Sequence, residues 1–541
     1  MGAHSERYTK APLWLALAFL TAFAVVPLAV LAYETVAGPD GFTLAAWRAL
    51  ADDDNLREQA MASLRLGLVA TVLSLLLGGG TAWLCTACDL PGRRWFGPLA
   101  VAPLVVPPIF VAMGLADLWR DVSGFWPCAI LLGTSHAPFV AVLAARGLRA
   151  VDGRAYEAAL LLRGRAAADR WLLRSIAPEL IAGCLLAFLF TVADHGVPEF
   201  LTVKGKTWHT YAEGIFSRWS RRAVGTTFAE VQSPIVAALP FLAALVCLLW
   251  AALRLRAAAP DRGVRQPLPV QPLGRLRWPA LLLPVAYLAM GIGVPVLVLA
   301  RWALGSAQER EPMGLDYLRE SYAKAMDQGF AAFSHSVWLG LGTAAVVVLL
   351  ALPLARQSAR RWPVLDVVAA LPAAMPAILL GIALVRTFTG NPVFAWIGGG
   401  ADGWDFYSGW GFAVCGYAVR LLPFAALTLA SQVRRQSLTA EEAGRLVPRS
   451  ATHRALRLHV APLLPAAWSA FVLTFVLALR ELDLAVMLPA ANATAVRRLA
   501  NAVHFQHEDW SGVIALMLLA TAVLLPLLPS LLAGRKLSSL S

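Results

Sequence analysis

EAALLLRGRAAADRWLLRSIAPEL, residues 157–180, returns at 441–464 as EEAGRLVPRSATHRALRLHVAPLL. The two stretches align without a gap and share ten identities: Glu157/Glu441, Ala159/Ala443, Leu162/Leu446, Arg165/Arg449, Ala167/Ala451, Arg170/Arg454, Leu172/Leu456, Ala177/Ala461, Pro178/Pro462 and Leu180/Leu464. An Ala-, Leu- and Arg-rich composition inflates such a match but does not produce it. A second pair stands earlier in the same order: APLVVPPIFVAMGL at 102–115 matches LPAAMPAILLGIAL at 371–384, superposing Pro103 on Pro372 and Pro107 on Pro376. Two matches in one order mark an internal duplication.

What surrounds these stretches fixes the solvent. The 541 residues are 59% hydrophobic and 15% charged, with a mean hydropathy of +0.65, well outside the range of water-soluble domains. A net charge of +13 invites a nucleic-acid reading, but the basic residues lie in short clusters between long apolar runs, so no nucleic-acid partner is expected. The bilayer itself is the first partner. Apolar runs able to cross a hydrocarbon core about 30 Å thick can be placed at 12–33, 64–86, 96–116, 127–146, 180–195, 232–253, 279–300, 334–355, 364–386, 410–430, 467–486 and 511–533. The predicted fold class is therefore an all-α integral membrane protein of about twelve transmembrane helices. The first run is too long for a signal sequence and has no cleavage site after it, so it reads as a retained span.

Loop charge orients the spans. With the N-terminus inside, every short inside loop is basic, from Arg93/Arg94 and the seven arginines between Arg146 and Arg174 to Arg535/Lys536. Outside loops hold Asp52-Asp53-Asp54, Asp117/Asp121, Asp402/Asp405 and Glu508/Asp509; only 196–230 is a basic outside stretch. Both termini are expected in the cytoplasm of a bacterial cell, with the chain multi-pass in its inner (plasma) membrane. The division that follows is 1–260 for a first six-helix unit with its loop at 153–180, 261–278 for a basic cytoplasmic linker, and 279–541 for a second unit with its loop at 438–464. An even number of spans per half makes the copies parallel, related by an axis along the membrane normal, with a path between them.

Each repeated stretch lies between the fourth and fifth span of its half. Good helix formers lead to Gly164, or to Pro448 in the second copy, and helical character resumes until Pro178 or Pro462 opens the next span. That is a helix, a turn and a helix outside the bilayer, with small alanines that allow close approach and a glutamate able to pair with a cation. A solvated amphipathic connector is the plain alternative, and two copies in equivalent places weigh against it.

Here the chain resembles the permeases of ABC importers, whose cytoplasmic EAA loop reads E-A-A-x(3)-G with an I-x-L-P-like ending. The loop stands as Glu157-Ala158-Ala159…Gly164…Ile176-Ala177-Pro178, and more weakly as Glu441-Glu442-Ala443…Pro448…Val460-Ala461-Pro462. The resemblance implies the MetI-like permease fold twice over and docking of these loops on a homodimeric cytoplasmic ABC ATPase. Glu157, Ala158, Ala159, Gly164, Glu441, Glu442, Ala443 and Pro448 inherit the coupling role. The glycine falls one residue late, and Pro448 replaces it in the second loop. A fused chain of this length is most similar to iron(III) importer permeases, with thiamine and phosphonate permeases as relatives, through Ala193-Asp194-His195-Gly196-Val197-Pro198 and Arg480-Glu481-Leu482, with Val503-His504-Phe505 further on. That family also implies a periplasmic or extracellular solute-binding protein.

Asp194 and Glu481 stand at equivalent span ends, where acids are costly near lipid. They either meet a cationic or metal-bearing substrate, or cap a helix and pair with Arg480. Pro103, Pro107, Pro372 and Pro376 break spans three and nine, as bends of a gate or as static kinks. His195, His209, His504 and His507 lack metal-ligand spacing, and Cys85-x-x-Cys88 has no second pair, so no metal site is expected. Gly78-Gly79-Gly80 reads as a close helix contact. No catalytic residues are expected: Gly205-Lys206-Thr207 imitates a phosphate loop but has Phe200 where the leading glycine belongs. The chain is thus not expected to be an enzyme or to hold a cofactor, ATP being used by the partner ATPase. An ion-coupled secondary transporter is the alternative, disfavoured by spans almost free of acids.

Overall fold

A computed structural model describes residues 2–38, 41–119, 122–202, 209–221, 266–305, 314–360, 362–390, 406–436, 461–505 and 510–532. Eight helices among them are long and apolar enough to cross a membrane: Ala11–Glu34, Asp54–Ala87, Phe125–Ala150, Arg165–Ala193, Gly274–Leu304, Leu315–Arg360, Trp410–Arg434 and Ala461–Leu479. Arg93–Val105 and Pro108–Leu118 form a further pair bent by 90°, and Ala377–Thr389 and Ser511–Pro526 are shorter apolar helices. The protein is a multi-pass helical membrane protein; among the described residues the only strands are the short antiparallel pair Ala37–Gly38 and Gly41–Phe42. The sixth expected span, 232–253, lies outside the described residues.

Lipid is legible on the surface of these helices. In Ala11–Glu34, Asp54–Ala87 and Gly274–Leu304 only 28% of the most apolar window is buried, against 78% in Phe125–Ala150 and Trp410–Arg434. Leu15, Leu76, Leu282 and Leu297 all stand exposed. Apolar faces of this extent are stable only in hydrocarbon.

The duplication recurs in fine structure. Each leading helix contains a π-helical turn, Thr21–Val25 or Ala289–Gly293, followed by Val26-Pro27 or Val294-Pro295. Each third span is broken in one way: a 3-10 turn, Ala102–Val105 or Leu371–Ala374, runs into an extended pair, Val106-Pro107 or Met375-Pro376, before a helix restarts. Pro103 and Pro372 enter the 3-10 turns, where a missing N–H costs nothing, and Pro107 and Pro376 stop them. The restarted helices are encased, with Ile109 to Leu115 and Ala377 to Leu384 buried throughout. Phe125–Ala150 and Trp410–Arg435 are both 26 residues long, with Pro138 and Pro423 at the same position.

One expected break is absent. Pro178 lies inside the continuous helix Arg165–Ala193 and does not open it, whereas Pro462 does sit in a 3-10 turn, Ala461–Leu463, ahead of Leu464–Leu479. The carbonyl that Pro178 leaves without a donor belongs to Arg174, which is exposed and open to water.

The described residues group into two compact units that do not coincide with 1–260 and 279–541. One comprises Met1–Phe42 with Ala331–Arg497 and Thr521–Leu532; the other comprises Thr43–Phe330 with Arg498–Ala520. The leading helix of each half thus packs in the unit built from the other half.

Polar anchors hold the exchange in place. Within the second of these units, the Tyr287 hydroxyl donates to the Ala100 carbonyl at 2.7 Å, Pro103 abuts Gly291, and Arg301 meets Asp117 at 3.9 Å. Within the first, Phe23 stacks on Phe388, and Arg386 binds Glu34 at 2.8 Å. Asp117 and Arg386 occupy equivalent places after the two proline breaks. The leading helix therefore carries the carboxylate in one unit and the guanidinium in the other.

Gly78 confirms its reading as a close contact. It lies against the backbone of Ala137, where a Cβ has no room. Gly80 faces Leu283.

Candidate functional site

The first repeated stretch folds as a hairpin of two helices, Gly153–Arg163 and Arg165–Ala193, joined at Gly164. Asp152 caps the first, its carboxylate accepting from Arg154 N at 3.2 Å. Gly164 has φ +74 and ψ 172, a conformation open essentially to glycine alone, and nothing crowds its missing side chain. Proline, with φ locked near about −65°, has no access to it. Residue 448 and its neighbours Glu441, Glu442 and Ala443 lie outside the described residues.

Helical spacing sorts the hairpin into two faces. Tyr156, Ala168, Leu172 and Ile176 are buried with Leu148 and Val151, and Ala159 packs against that cluster beside Trp83, Leu180 and Leu268. Glu157 and Ala158 point away and are exposed, as are Leu161 at 86% and Leu162 at 83%. Residues 157, 158, 161 and 162 form one stripe. Of the predicted coupling residues, then, Glu157, Ala158 and Gly164 are presented outward and Ala159 is a packing residue. Leu161 and Leu162 were not among the predicted coupling residues; their phase relative to Tyr156 was the available signal.

A polar ring braces the inner face. Tyr156 donates to Asp169 Oδ1 at 2.7 Å, and Arg165 lies 3.8 Å from Asp169 Oδ2. Burial and the adjacent Asp169 carboxylate push the Tyr156 phenol up to about 12.

The two acidic span ends do equivalent work. Asp194 Oδ1 accepts from Val197 N at 2.9 Å, capping Gly196–Thr202, and Glu481 Oε1 accepts from Leu484 N at 3.3 Å, capping Asp483–Met487. Both carboxylates thus accept a backbone N–H from the residue three positions on. Glu481 is also buried in an ion pair, and its partner is Arg420 at 3.0 Å, 61 residues upstream. Arg420 donates in addition to the Met375 carbonyl at 3.1 Å, one of the groups freed by the break at Pro376. One guanidinium thus ties the broken third span of its half, through Trp410–Arg435, to the end of Leu464–Leu479. Arg420 falls inside the predicted span 410–430, and its partner 61 residues further on leaves no sign in the sequence.

The histidines hold local partners. His195 is buried 3.9 Å from Glu199, and His209 lies 2.9 Å from Glu213. Among the described residues no three His, Cys, Asp or Glu side chains gather as metal ligands. Cys85 and Cys88 are free thiols. The His504 side chain, His507 and the Gly205-Lys206-Thr207 stretch lie outside the described residues.

Fold and site together define a multi-pass helical membrane protein with a structured basic hairpin between two of its spans. No protein-family model matches the chain. Over 185 residues it is 27% identical to the spermidine/putrescine transport system permease protein PotC of Haemophilus influenzae, an alignment covering 33% of this chain and 70% of that relative. That distant similarity supports an ABC importer permease.

Proposed function

We propose that this chain is a two-half permease of an ATP-driven importer, with twelve spans arranged as two parallel six-helix repeats of the MetI-like kind. The observation that carries the reading is the hairpin tip. Outside the apolar spans the protein presents Glu157, Ala158, Leu161 and Leu162 on one exposed stripe over a rigid, buried base. Exposed leucines in water call for a partner surface, and a carboxylate beside them gives that surface a cationic requirement. A separate ATPase homodimer fills that role, gripping this loop and its counterpart around Glu441, Glu442, Ala443 and Pro448.

In this scheme ATP stays in the partner, and a solute-binding protein delivers substrate from outside. Loop charge supports a cytoplasmic hairpin and cytoplasmic termini, with the spans in the inner membrane as the importer reading implies. The halves alternate access about broken spans whose bends are Pro103, Pro107, Pro372 and Pro376. Asp194 and Glu481 shape the ends of the pathway helices, Glu481 through Arg420.

Two lines bear on the substrate. The motifs around Asp194 and Glu481 resemble those of iron(III), thiamine and phosphonate permeases, and the relative from Haemophilus influenzae is named for spermidine and putrescine. Competition of labelled iron(III) uptake by thiamine, a phosphonate and spermidine decides among them.

Replacing Glu157 and Glu441 together with alanine is expected to release the ATPase from purified membranes and abolish uptake, while thermal unfolding of the permease stays unchanged. A buried ion pair such as Arg420–Glu481 is also the kind of group on which ion-coupled carriers rely. Uptake that persists without any ATPase and follows the proton gradient would favour that second reading.

A further inference from the structure

The linker between the halves does more than connect them. Its described residues from Gln266 to Leu273 run across the base of the hairpin and are bonded to it and to the end of the second span. Gly153 N donates to the Gln266 carbonyl at 2.9 Å, and Gln266 N donates to Asp152 Oδ1 at 3.4 Å. The Pro267 carbonyl lies against Gly153, where no Cβ fits, and Leu268 enters the hairpin core. Gln271 then adds a rung to the end of the second span: its N–H donates to the Ala87 carbonyl at 2.8 Å, and its carbonyl accepts from Asp89 N at 3.1 Å. Leu273 N donates to Asp89 Oδ1 at 2.6 Å.

The Gln271 side chain reaches both arms of the hairpin. Its Nε2 donates to the Tyr156 hydroxyl at 2.9 Å, and its Oε1 accepts from Arg165 at 3.1 Å. Chemistry fixes the orientation of the amide, because a guanidinium only donates. The Tyr156 proton therefore goes to Asp169, and Arg165, lying near Asp169, closes a ring of four side chains. Tyr156 immediately precedes Glu157, and Arg165 immediately follows Gly164. One amide thus clamps the two ends of the segment that carries the exposed stripe.

We infer that residues 266–273 are a strap, and that Gln271 is a positioning residue which sets the angle of the hairpin tip for its partner. The strap leads directly into the leading helix Gly274–Leu304 and is pinned to the end of Asp54–Ala87. A push on the tip is therefore delivered to two further membrane helices besides the one continuous with the hairpin. The structural claim stands on the contacts alone; the coupling role rests on the importer reading.

The test uses the full chain in lipid nanodiscs and the same chain assembled with its ATPase. Gln271→Leu removes both side-chain bonds, and Gln271→Glu keeps the acceptor for Arg165 but loses the donor to Tyr156. Amide exchange between 154 and 168 is expected to rise at least tenfold in Gln271→Leu and by less in Gln271→Glu, with 182–193 unchanged. In the assembled complex, the maximal rate of permease-stimulated ATP hydrolysis is expected to fall at least fivefold in Gln271→Leu. The ATPase concentration giving half stimulation should move less than twofold, and Gln271→Glu should recover part of the rate. Unchanged exchange in Gln271→Leu overturns the strap. Raised exchange with unchanged hydrolysis overturns the positioning role. If the wild-type chain stimulates no ATPase, the importer reading and the coupling role fall together, and the exchange measurement still decides the strap.

Discussion

Tyr156 shows how one side chain can report on the hairpin. Its phenol is raised to about 12 because burial and the bond to Asp169 favour the neutral form. A group whose folded pKa exceeds its unfolded value, about 10 for tyrosine, contributes stability that is complete below the unfolded value and lost as pH rises through the folded one. The hairpin base should therefore hold up to about pH 10 and loosen between about 10 and 12. Protection of the hairpin amides, taken relative to their base-catalysed intrinsic exchange rates, should fall through this step in the wild type and stay flat in Tyr156→Phe. Glu481 offers a second test. Glu481→Ala strands Arg420 in a buried site, a change expected to cost about 3–5 kcal/mol in thermal unfolding. Arg420→Met with Glu481→Leu should cost clearly less than the single change, because no uncompensated charge remains.

At the scale of elements, the charge reversal between Glu34–Arg386 and Arg301–Asp117 stands out. A leading helix packed in the wrong unit would set Glu34 against Asp117 and Arg301 against Arg386. The sign of each pair thus discriminates between two otherwise similar helices, both with a π-helical turn and a Val-Pro step. Glu34→Arg is expected to lower the stability of its unit by about 2 kcal/mol, the scale of a charge-assisted bond. Adding Arg386→Glu should restore it, and calorimetry of the three variants reads the result. The proline breaks were legible beforehand because the ring chemistry acts locally. Pro178 was misread as a helix opener because tolerance of a proline inside a helix depends on whether the freed carbonyl reaches water, which its neighbours in space decide.

For the whole molecule, the exchange of leading helices makes a prediction that the chain order does not. Deleting residues 1–42 removes a helix from the unit containing 331–497 while leaving 43–330 its full set of described partners. Limited proteolysis of the truncated chain should therefore cut within 331–497 and spare 43–330. The opposite pattern would show that each half keeps its own first helix.

Hydropathy, charge placement and the paired stretches at 157–180 and 441–464 already determined a helical chain in lipid, a duplicated plan, the proline breaks and an exposed loop beginning at Glu157. These follow from composition, from rings that lock a dihedral and from residues near one another along the chain, so the order of the letters suffices. Tertiary structure alone decided which half receives each leading helix, that Arg420 serves Glu481 and Met375, that Leu161 and Leu162 face outward, and that Gln271 clamps the hairpin. Each of those joins groups far apart in sequence or selects one face of a helix, and only the packed chain specifies such neighbours.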